Sequence, residues 1–594
     1  MRNVELARCF RDLAAYLEME DVPFKPRAYE KAALAIESYD RPLAEVYRDG
    51  GAKALRAIPG IGASMADKLE ELIKTGKCAL REQYHARMPV ELATLTAIEG
   101  IGPKAVKVLY EKLAVRTVED LEAAVRAGKV RSLPHFGERS EQKMLKALAF
   151  LRTTGGRQPL AVTLPIVEQI AAALARLPGV ERVAVAGSVR RRKETIGDAD
   201  LLVVARKGDA VVQAFVTLPQ VERVLGQGRT KSSVKLAGGL QVDLRVVPTE
   251  SFGAALCYFT GSKSHNVALR QLAIKQGLKL NEYGLFRGAR RLAGRTEEEI
   301  YARLGLAYVP PELREDQGEI EAARSGALPQ LIEPGALRGD LQTQTDWTDG
   351  ADSMEAMARE AKRLGLEYIA ITDHTQGLTM TGGSDETKLR KQMAEIDGLN
   401  ARLGGIRVLR GAEVNIDKDG MLDIDDETLA ALDVVGIAVH SHFDLPRAEM
   451  TRRIVRAMRN PNADILFHPT GRKIQKREAY DVDMDVIIAT ARETGTVLEL
   501  DAYPDRLDLK DEHVRKAVQA GVPIVIDSDA HSVKHLAFPR QYGVDQARRG
   551  WATAADVLNT RPGDAFLAAL KGGRQAAAGS RNRRARNRAR TPRS

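Results

Sequence analysis

The 594-residue chain predicts a multidomain α/β protein with three unlike parts: a helical N-terminal region, a mixed α/β middle, and a C-terminal parallel α/β barrel. Three observations carry that expectation. A Gly-Ile-Gly hairpin recurs early, at IPGIGASMADKLEEL from Ile58 and IEGIGPKAVKVLYEKL from Ile98, with a weaker copy, LPHFGERSEQKML, from Leu133. From about residue 160 the apolar pattern shortens to strands between helices. Beyond it, seven short strands (DLQTQT, EYIAITDH, RVLRGAEVNI, VVGIAVHSH, ADILFHP, TVLELDA and VPIVIDSDAH) alternate with helices, which predicts a TIM-like barrel with functional groups at the C-terminal strand ends. At roughly 150 residues per domain the chain holds about four units.

Composition narrows the class. The chain is 44% hydrophobic and 29% charged, and no apolar run approaches the roughly 18 residues of a membrane span. The opening MRNVELARCFRDLAAYL carries acids inside its apolar pattern and no small-residue cleavage site, so it reads as a helix and a cytoplasmic location is expected. Cys9, Cys78 and Cys257 are far apart with no CxxC, against a disulfide framework or a thiolate zinc site. The net charge of +10 sits mostly in the tail, where Arg574 to Ser594 holds eight arginines and no acid. That low-complexity segment reads as disordered, either a polycation adding salt-sensitive phosphate contacts or a solubility appendage.

The glycine pairs Gly60/Gly62 and Gly100/Gly102 turn the chain tightly and leave N–H groups free at the next helix, where a phosphate oxygen fits. The repeat resembles the helix-hairpin-helix, which implies sequence-independent grip on DNA backbone and a monovalent cation at the turns. In the middle region a helix, Leu164 to Leu177, leads into VERVAVAGS, a basic turn RRRKETIG, the strand DADLLVVA and later GLQVDLRVVP. Asp198 and Asp200 share a strand face at a spacing of two, and Asp243 begins a strand that fits beside it. Three converging carboxylates suit two divalent ions clamping a triphosphate; alternating acids alone are more often a solvated face. Gly187 and Ser188 can present an N–H and a hydroxyl to phosphate, and Arg191 can neutralise its charge.

GSVRRRKETIGDADLLV, then VDLR, YFTGSKSHNVALR and NEYGLF, occur in the order and spacing of the family X, DNA polymerase beta-like, DNA polymerases. The chain resembles that family over roughly residues 1 to 310. The resemblance implies two Mg²⁺ or Mn²⁺ ions on Asp198, Asp200 and Asp243; a triphosphate held by Gly187, Ser188, Arg191 and Gly197; a sugar lined by Tyr258, Phe259 and Gly261; Asn266 at the base edge; and Arg270 on the template. Arg245 and Glu282 fall where the family has a pair reporting open and closed states, and Lys263 stands in place of an acid. Lys68 matches the family's Schiff-base lysine, with Lys25 and Tyr29 at the 5′-phosphate positions; the bland reading is an exposed helix lysine. The implied units are a DNA- and 5′-phosphate-binding domain (1–85), a fingers-like helical domain (86–155), a nucleotidyltransferase palm (156–248) and a thumb (249–310). A Pro- and Gly-rich linker (311–335) joins these to the barrel (336–573), and the tail (574–594) follows.

Seven of the ten histidines lie after residue 340. His374, Glu413, His440, His468, Asp529 and His531 fall at or near successive strand ends, with Asp349 after the first strand, a pattern that points to clustered metal ligands. His442, His513 and His535 read as surface residues. The region from about 335 to 572 resembles the polymerase and histidinol phosphatase (PHP) domain, which implies up to three metals, Mn²⁺ or Zn²⁺ among them. That family's first motif is HxH followed by SDG, and Gln342 and Gln344 stand at both histidines. Amide oxygens are weaker ligands than imidazole, so any surviving subsite there favours Mn²⁺ or Mg²⁺ over Zn²⁺.

The sequence therefore predicts a monomeric, template-directed repair polymerase acting on gapped or primer-template DNA and deoxynucleoside triphosphates. The barrel is expected to be a weakened 3′ to 5′ exonuclease or a structural module, with a fully active Mn²⁺-dependent nuclease as the alternative.

Overall fold

The computed structural model describes residues 1–572 except 2, 40, 97, 99, 135, 154, 155, 379 and 380; the Arg-rich tail and the readings attached to it lie outside the described residues. Among the described residues no helix is long and apolar enough to cross a membrane.

Helices α1 (Asn3–Met19), α2 (Lys25–Ser38), α3 (Leu43–Arg56) and α4 (Ala63–Thr75) enclose an N-terminal core built on Leu6, Phe10, Leu13, Ile36 and Leu69. Each burial of such a side chain contributes about 1.5–3 kcal/mol. The three hairpin copies turn alike: the N–H of Ile61, Ile101 and Phe136 donates to the carbonyl of Ile58, Ile98 and Leu133 at 3.0, 3.0 and 3.1 Å. Gly60 and Gly100 hold φ of +81° and +85°, which a β-carbon would strain. Gly62 and Gly102 are the caps of the following helices, with no side chain on their first-turn N–H groups.

The palm is a five-stranded sheet of β1 (Val180–Val185), β2 (Asp198–Ala205), β3 (Val221–Gln227), β4 (Lys231–Leu236) and β5 (Gln241–Val246), in the order β1-β2-β5-β4-β3. The helix before it starts earlier than expected, Leu160–Ala175. A small antiparallel sheet, β6 (Lys279–Asn281), β7 (Gly284–Arg287) and β8 (Arg290–Ala293), follows in the thumb.

Residues 311–335 are not a loose linker. Leu313, Ile320, Ala323 and Leu331 complete the thumb core. Arg314 is fully buried against Glu297 at 2.6 Å, and Glu319 is fully buried against His265 at 2.5 Å. Proline and glycine shape the path, but buried charges fix it in place.

The barrel comprises β9 (Gly339–Asp340), β10 (Tyr368–Ile371), β11 (Arg407–Asn415), β12 (Val434–Ala438), β13 (Ile465–Leu466), β14 (Val497–Asp501) and β15 (Ile524–Asp527), all parallel and paired in that order. The first and last strands meet beyond their ends. Gln344 N–H donates to the Ala530 carbonyl at 2.7 Å, and Ala530 N–H to the Gln342 carbonyl at 3.2 Å. Of the expected strand DLQTQT only Asp340 lies in the ladder, which begins at Gly339, and the remainder closes the ring.

Candidate active sites: two clefts

β2 and β5 run parallel in a register that sets Asp200 directly beside Asp243, with Asp198 two residues earlier on the same face as Asp200. Burial, then the neighbouring Asp198 and Asp243, push the Asp200 carboxyl up to about 7. Three carboxylates crowded this way need a cation, so the set fits divalent ions. Gly187, at φ +63°, opens the helix after β1, and a β-carbon there would lie 2.5 Å from Asp200 Oδ2. The glycine is therefore required by the carboxylate as well as by the turn.

Above the carboxylates is a cavity of about 550 Å³. Gly187, Ser188, Arg191, Asp198 and Asp200 line its floor, and Tyr258, Phe259, Gly261, Asn266 and Arg270 line its far wall. Of the residues expected at this site, Gly197 and Asp243 stand outside the lining, Asp243 beside it through Asp200. Arg157, Lys193 and Lys263 add positive charge that the motif reading did not assign to phosphate. Arg157 reaches the site by bonding Thr195 Oγ1 at 3.0 Å, a contact across 38 residues that no local pattern announces. Asn266 donates to the Tyr258 carbonyl at 2.6 Å, a bond within the far wall that fixes the amide. Arg245 lies over the Phe259 ring at 4.1 Å, and it forms no ion pair with Glu282 among the described residues.

Lys68 is half-buried on α4, where its ammonium donates to Ser64 Oγ at 2.9 Å and lies 6.0 Å from the Tyr29 ring centre. Lys25 is exposed and Tyr29 is buried. This arrangement suits phosphate contact.

The second cleft lies at the C-terminal mouth of the barrel. Two overlapping groups can each hold an ion there: Asp349, His374 and His531, and His374, Glu413 and His440. His440 Nε2 and His468 Nε2 approach Glu413 Oε1 at 2.9 and 2.8 Å. His374 lies 3.6 Å from Asp349 and 3.4 Å from Glu413. Burial works to raise the Asp349 carboxyl, but the His531 hydrogen bond and the charges of His374 and His531 outweigh it and bring it down to about 2. Buried atoms of Asp349 (Oδ1) and His440 (Nδ1) have no hydrogen-bond partner, which suits atoms that would ligate a cation. Those two groups fit divalent metals.

The remaining expected ligands do not make a third group. Gln344 donates its amide to Glu413 Oε2 at 2.7 Å, so it satisfies a ligand instead of acting as one. Both side-chain polar atoms of the fully buried Gln342 lack partners. Asp529 faces Arg506, whose guanidinium lies 3.4 Å from it and 3.3 Å from Asp501. Arg506 escaped the sequence reading because DRLDL carries no ligand pattern. His535, expected at the surface, is buried and stacked on Phe538 at 4.9 Å.

The N-terminal domain covers this mouth. Arg27 donates to the carbonyls of Thr381 at 2.6 Å and Thr348 at 3.2 Å, and Lys31 to Thr348 at 3.4 Å. A cavity of about 760 Å³ between α1, α2 and the barrel contains the side chains of both groups.

A cleft lined by paired carboxylates, joined to a barrel whose clustered histidines and acids fit metals, has the form of a nucleotidyltransferase with a second, hydrolase-type centre. Models of a helix-hairpin-helix domain (residues 1–78), a SAM-like helix-hairpin-helix tandem (92–149), the DNA polymerase beta thumb (255–315) and the PHP domain (340–493) match the chain. The DNA polymerase/3′-5′ exonuclease PolX of Bacillus subtilis (strain 168) is 38% identical over 566 residues, covering 94% of this chain and 98% of its own. DNA polymerase lambda of Rattus norvegicus is 28% identical over 346 residues, 53% of this chain and 56% of its own. A probable phosphatase of Thermoanaerobacter sp. (strain X514) is 32% identical over 184 residues, 29% of this chain and 70% of its own. The chain belongs to the family X DNA polymerases that carry a C-terminal PHP domain.

Proposed function

We propose that the chain fills short gaps in DNA during repair, using deoxynucleoside triphosphates, and that its barrel is a weakened metal-dependent 3′ to 5′ exonuclease. The observation that carries the first part is the Asp200–Asp243 register with Asp198 alongside. Two Mg²⁺ or Mn²⁺ ions bound there supply charge neutralisation and an activated primer hydroxyl. Asp243 faces the primer 3′ hydroxyl; Ser188, Arg191 and Gly197 hold the triphosphate, with Gly187 giving close approach. Tyr258, Phe259 and Gly261 seat the sugar, Asn266 meets the base edge and Arg270 the template. The hairpins at Gly60/Gly62 and Gly100/Gly102 grip backbone phosphates, each with a monovalent cation at its turn, and Lys25, Tyr29 and Lys68 serve the 5′ phosphate.

For the barrel, Asp349, His374, His531, Glu413 and His440 keep two ion positions, with His468 supporting Glu413. Gln342, Gln344 and Asp529 mark the position that is lost. Loss of one ion from a multi-metal phosphoesterase removes part of the clamp on attacking and leaving oxygens, so cleavage slows while the fold persists.

A labelled primer-template assayed with Mn²⁺ for both extension and degradation tests both parts. Asp198→Ala should lose extension, and retained extension would sink the polymerase residues. Wild type should degrade the primer slowly and Gln342→His/Gln344→His faster; robust wild-type degradation abolished by His468→Ala would overturn the weakened barrel.

A further inference from the structure

Arg191, at the floor of the nucleotide cavity, is gripped from behind. Its Nε donates to Glu315 Oε1 at 3.0 Å and its Nη1 to the Thr260 carbonyl. Glu315 is not held by the polymerase part alone. Arg549, at the end of the barrel helix Val544–Arg549, donates to the same Glu315 oxygen at 3.2 Å and to the Arg191 carbonyl at 2.8 Å. Its other nitrogen donates to Asp511 of the barrel. The Arg549 side chain is 2% exposed, and those of Arg191, Glu315 and Asp511 are 13%, 17% and 17% exposed.

We infer that Glu315 and Arg549 are positioning residues for nucleotide binding, through which the barrel holds Arg191 in its triphosphate-binding pose. The inference rests on the reading that Arg191 contacts the triphosphate.

An arginine has many rotamers, and its planar fork binds well only when its plane is fixed. With Nε and Nη1 occupied, Nη2 remains for the cavity. Glu315 alone could swing with its own side chain; its shared oxygen is pinned by a second, nearly buried guanidinium that is itself anchored on Asp511. The groups are partly desolvated, so these contacts are stronger than surface ion pairs. Lys193, 4.0 Å from Glu315, and Arg192, 3.2 Å from Asp545 of the barrel, flank the same junction. A barrel with a weakened metal site therefore retains a use: it forms the back wall of the polymerase's phosphate contact.

Full-length Glu315→Gln, Arg549→Met, their double variant and Arg191→Ala are compared with wild type in single-nucleotide gap filling. Nucleotide KM, kcat, affinity for gapped DNA and Tm are measured on each. Glu315→Gln and Arg549→Met should each raise nucleotide KM about fivefold to tenfold with kcat and DNA affinity within about twofold, and the double variant should be little worse than either. Glu315→Gln preserves volume, so it carries the test if Arg549→Met does not fold. If Arg191→Ala raises KM while the other two leave it unchanged, the positioning role is overturned. A fall in kcat at constant KM would also overturn it, since that is what loss of folded enzyme gives. If Arg191→Ala leaves KM unchanged, the reading of Arg191 fails, and the inference fails with it.

Discussion

Gln344 donates its side-chain amide to Glu413 at 2.7 Å, on the strand end where the barrel's first motif calls for imidazole. The amide does for Glu413 part of what a cation would do, by satisfying one carboxylate oxygen. Gln342→His/Gln344→His should therefore raise the Mn²⁺ bound per chain above the number held by wild type. Mass-spectrometric metal analysis of chelated and reloaded protein reads this directly, and equal stoichiometry in the two chains would count against a lost ion position.

Glu297 joins palm and thumb by accepting from Arg190 at 2.7 Å and from Arg314 at 2.6 Å. Burial opposes its ionisation, and the Arg314 and Arg190 charges overcome that and hold the carboxyl at about 2. Its folded pKa lies below the unfolded one, so it adds stability above about pH 4.5 that disappears as pH falls toward 2. Glu297→Gln strands two guanidinium groups, one of them fully buried, and should cost about 3–5 kcal/mol near neutrality. Denaturant unfolding across pH should show the gap between variant and wild type narrowing over that acid window; a gap independent of pH would refute the assignment.

Gly187→Ala places a methyl 2.5 Å from Asp200 Oδ2 at a backbone φ of +63°. The carboxylate must move, so kcat in gap filling should fall by about tenfold or more, while the turn costs only about 1 kcal/mol of stability. Wild-type kcat in this variant would show that the carboxylate has slack.

Arg27 and Lys31 seat α2 on the carbonyls of Thr348 and Thr381. Arg27→Ala/Lys31→Ala should release the domain and speed amide exchange in the loops around Thr348 and Thr381, with the barrel's strands unchanged. Exchange identical to wild type would mean that these contacts do not hold the lid.

The legible parts of this chain are those where chemistry and local period coincide. Strands β10, β12, β13 and β15 are apolar runs of a few residues, and His374, His440, His468 and His531 follow their ends, so both the barrel and the gathering of these histidines at its mouth could be read from sequence. The GDAD and VDLR stretches likewise fix Asp198, Asp200 and Asp243 on strands, and only their register, Asp200 against Asp243, needed the fold. Long-range partners were not legible. Residues 311–335 have linker composition, yet Arg314 and Glu319 are buried on Glu297 and His265, 17 and 54 residues away. The same applies to Arg157 and Arg506, which enter the two clefts from segments with no motif of their own, and to His535, which is buried by stacking on Phe538. Gln344 was legible as a substitution but not as a donor, because amide orientation is set by Glu413 on another strand.

The central claim is that nucleotidyl transfer depends on the paired carboxylates of β2 and β5 and not on the barrel's histidine and acid cluster. Single-turnover gap filling by Asp243→Ala with Mg²⁺, run beside primer degradation by the same protein with Mn²⁺, tests it most directly. Extension should fall by more than about a thousandfold while the slow degradation stays at the wild-type rate. Extension within about tenfold of wild type, or loss of both activities together in a folded protein, would contradict it.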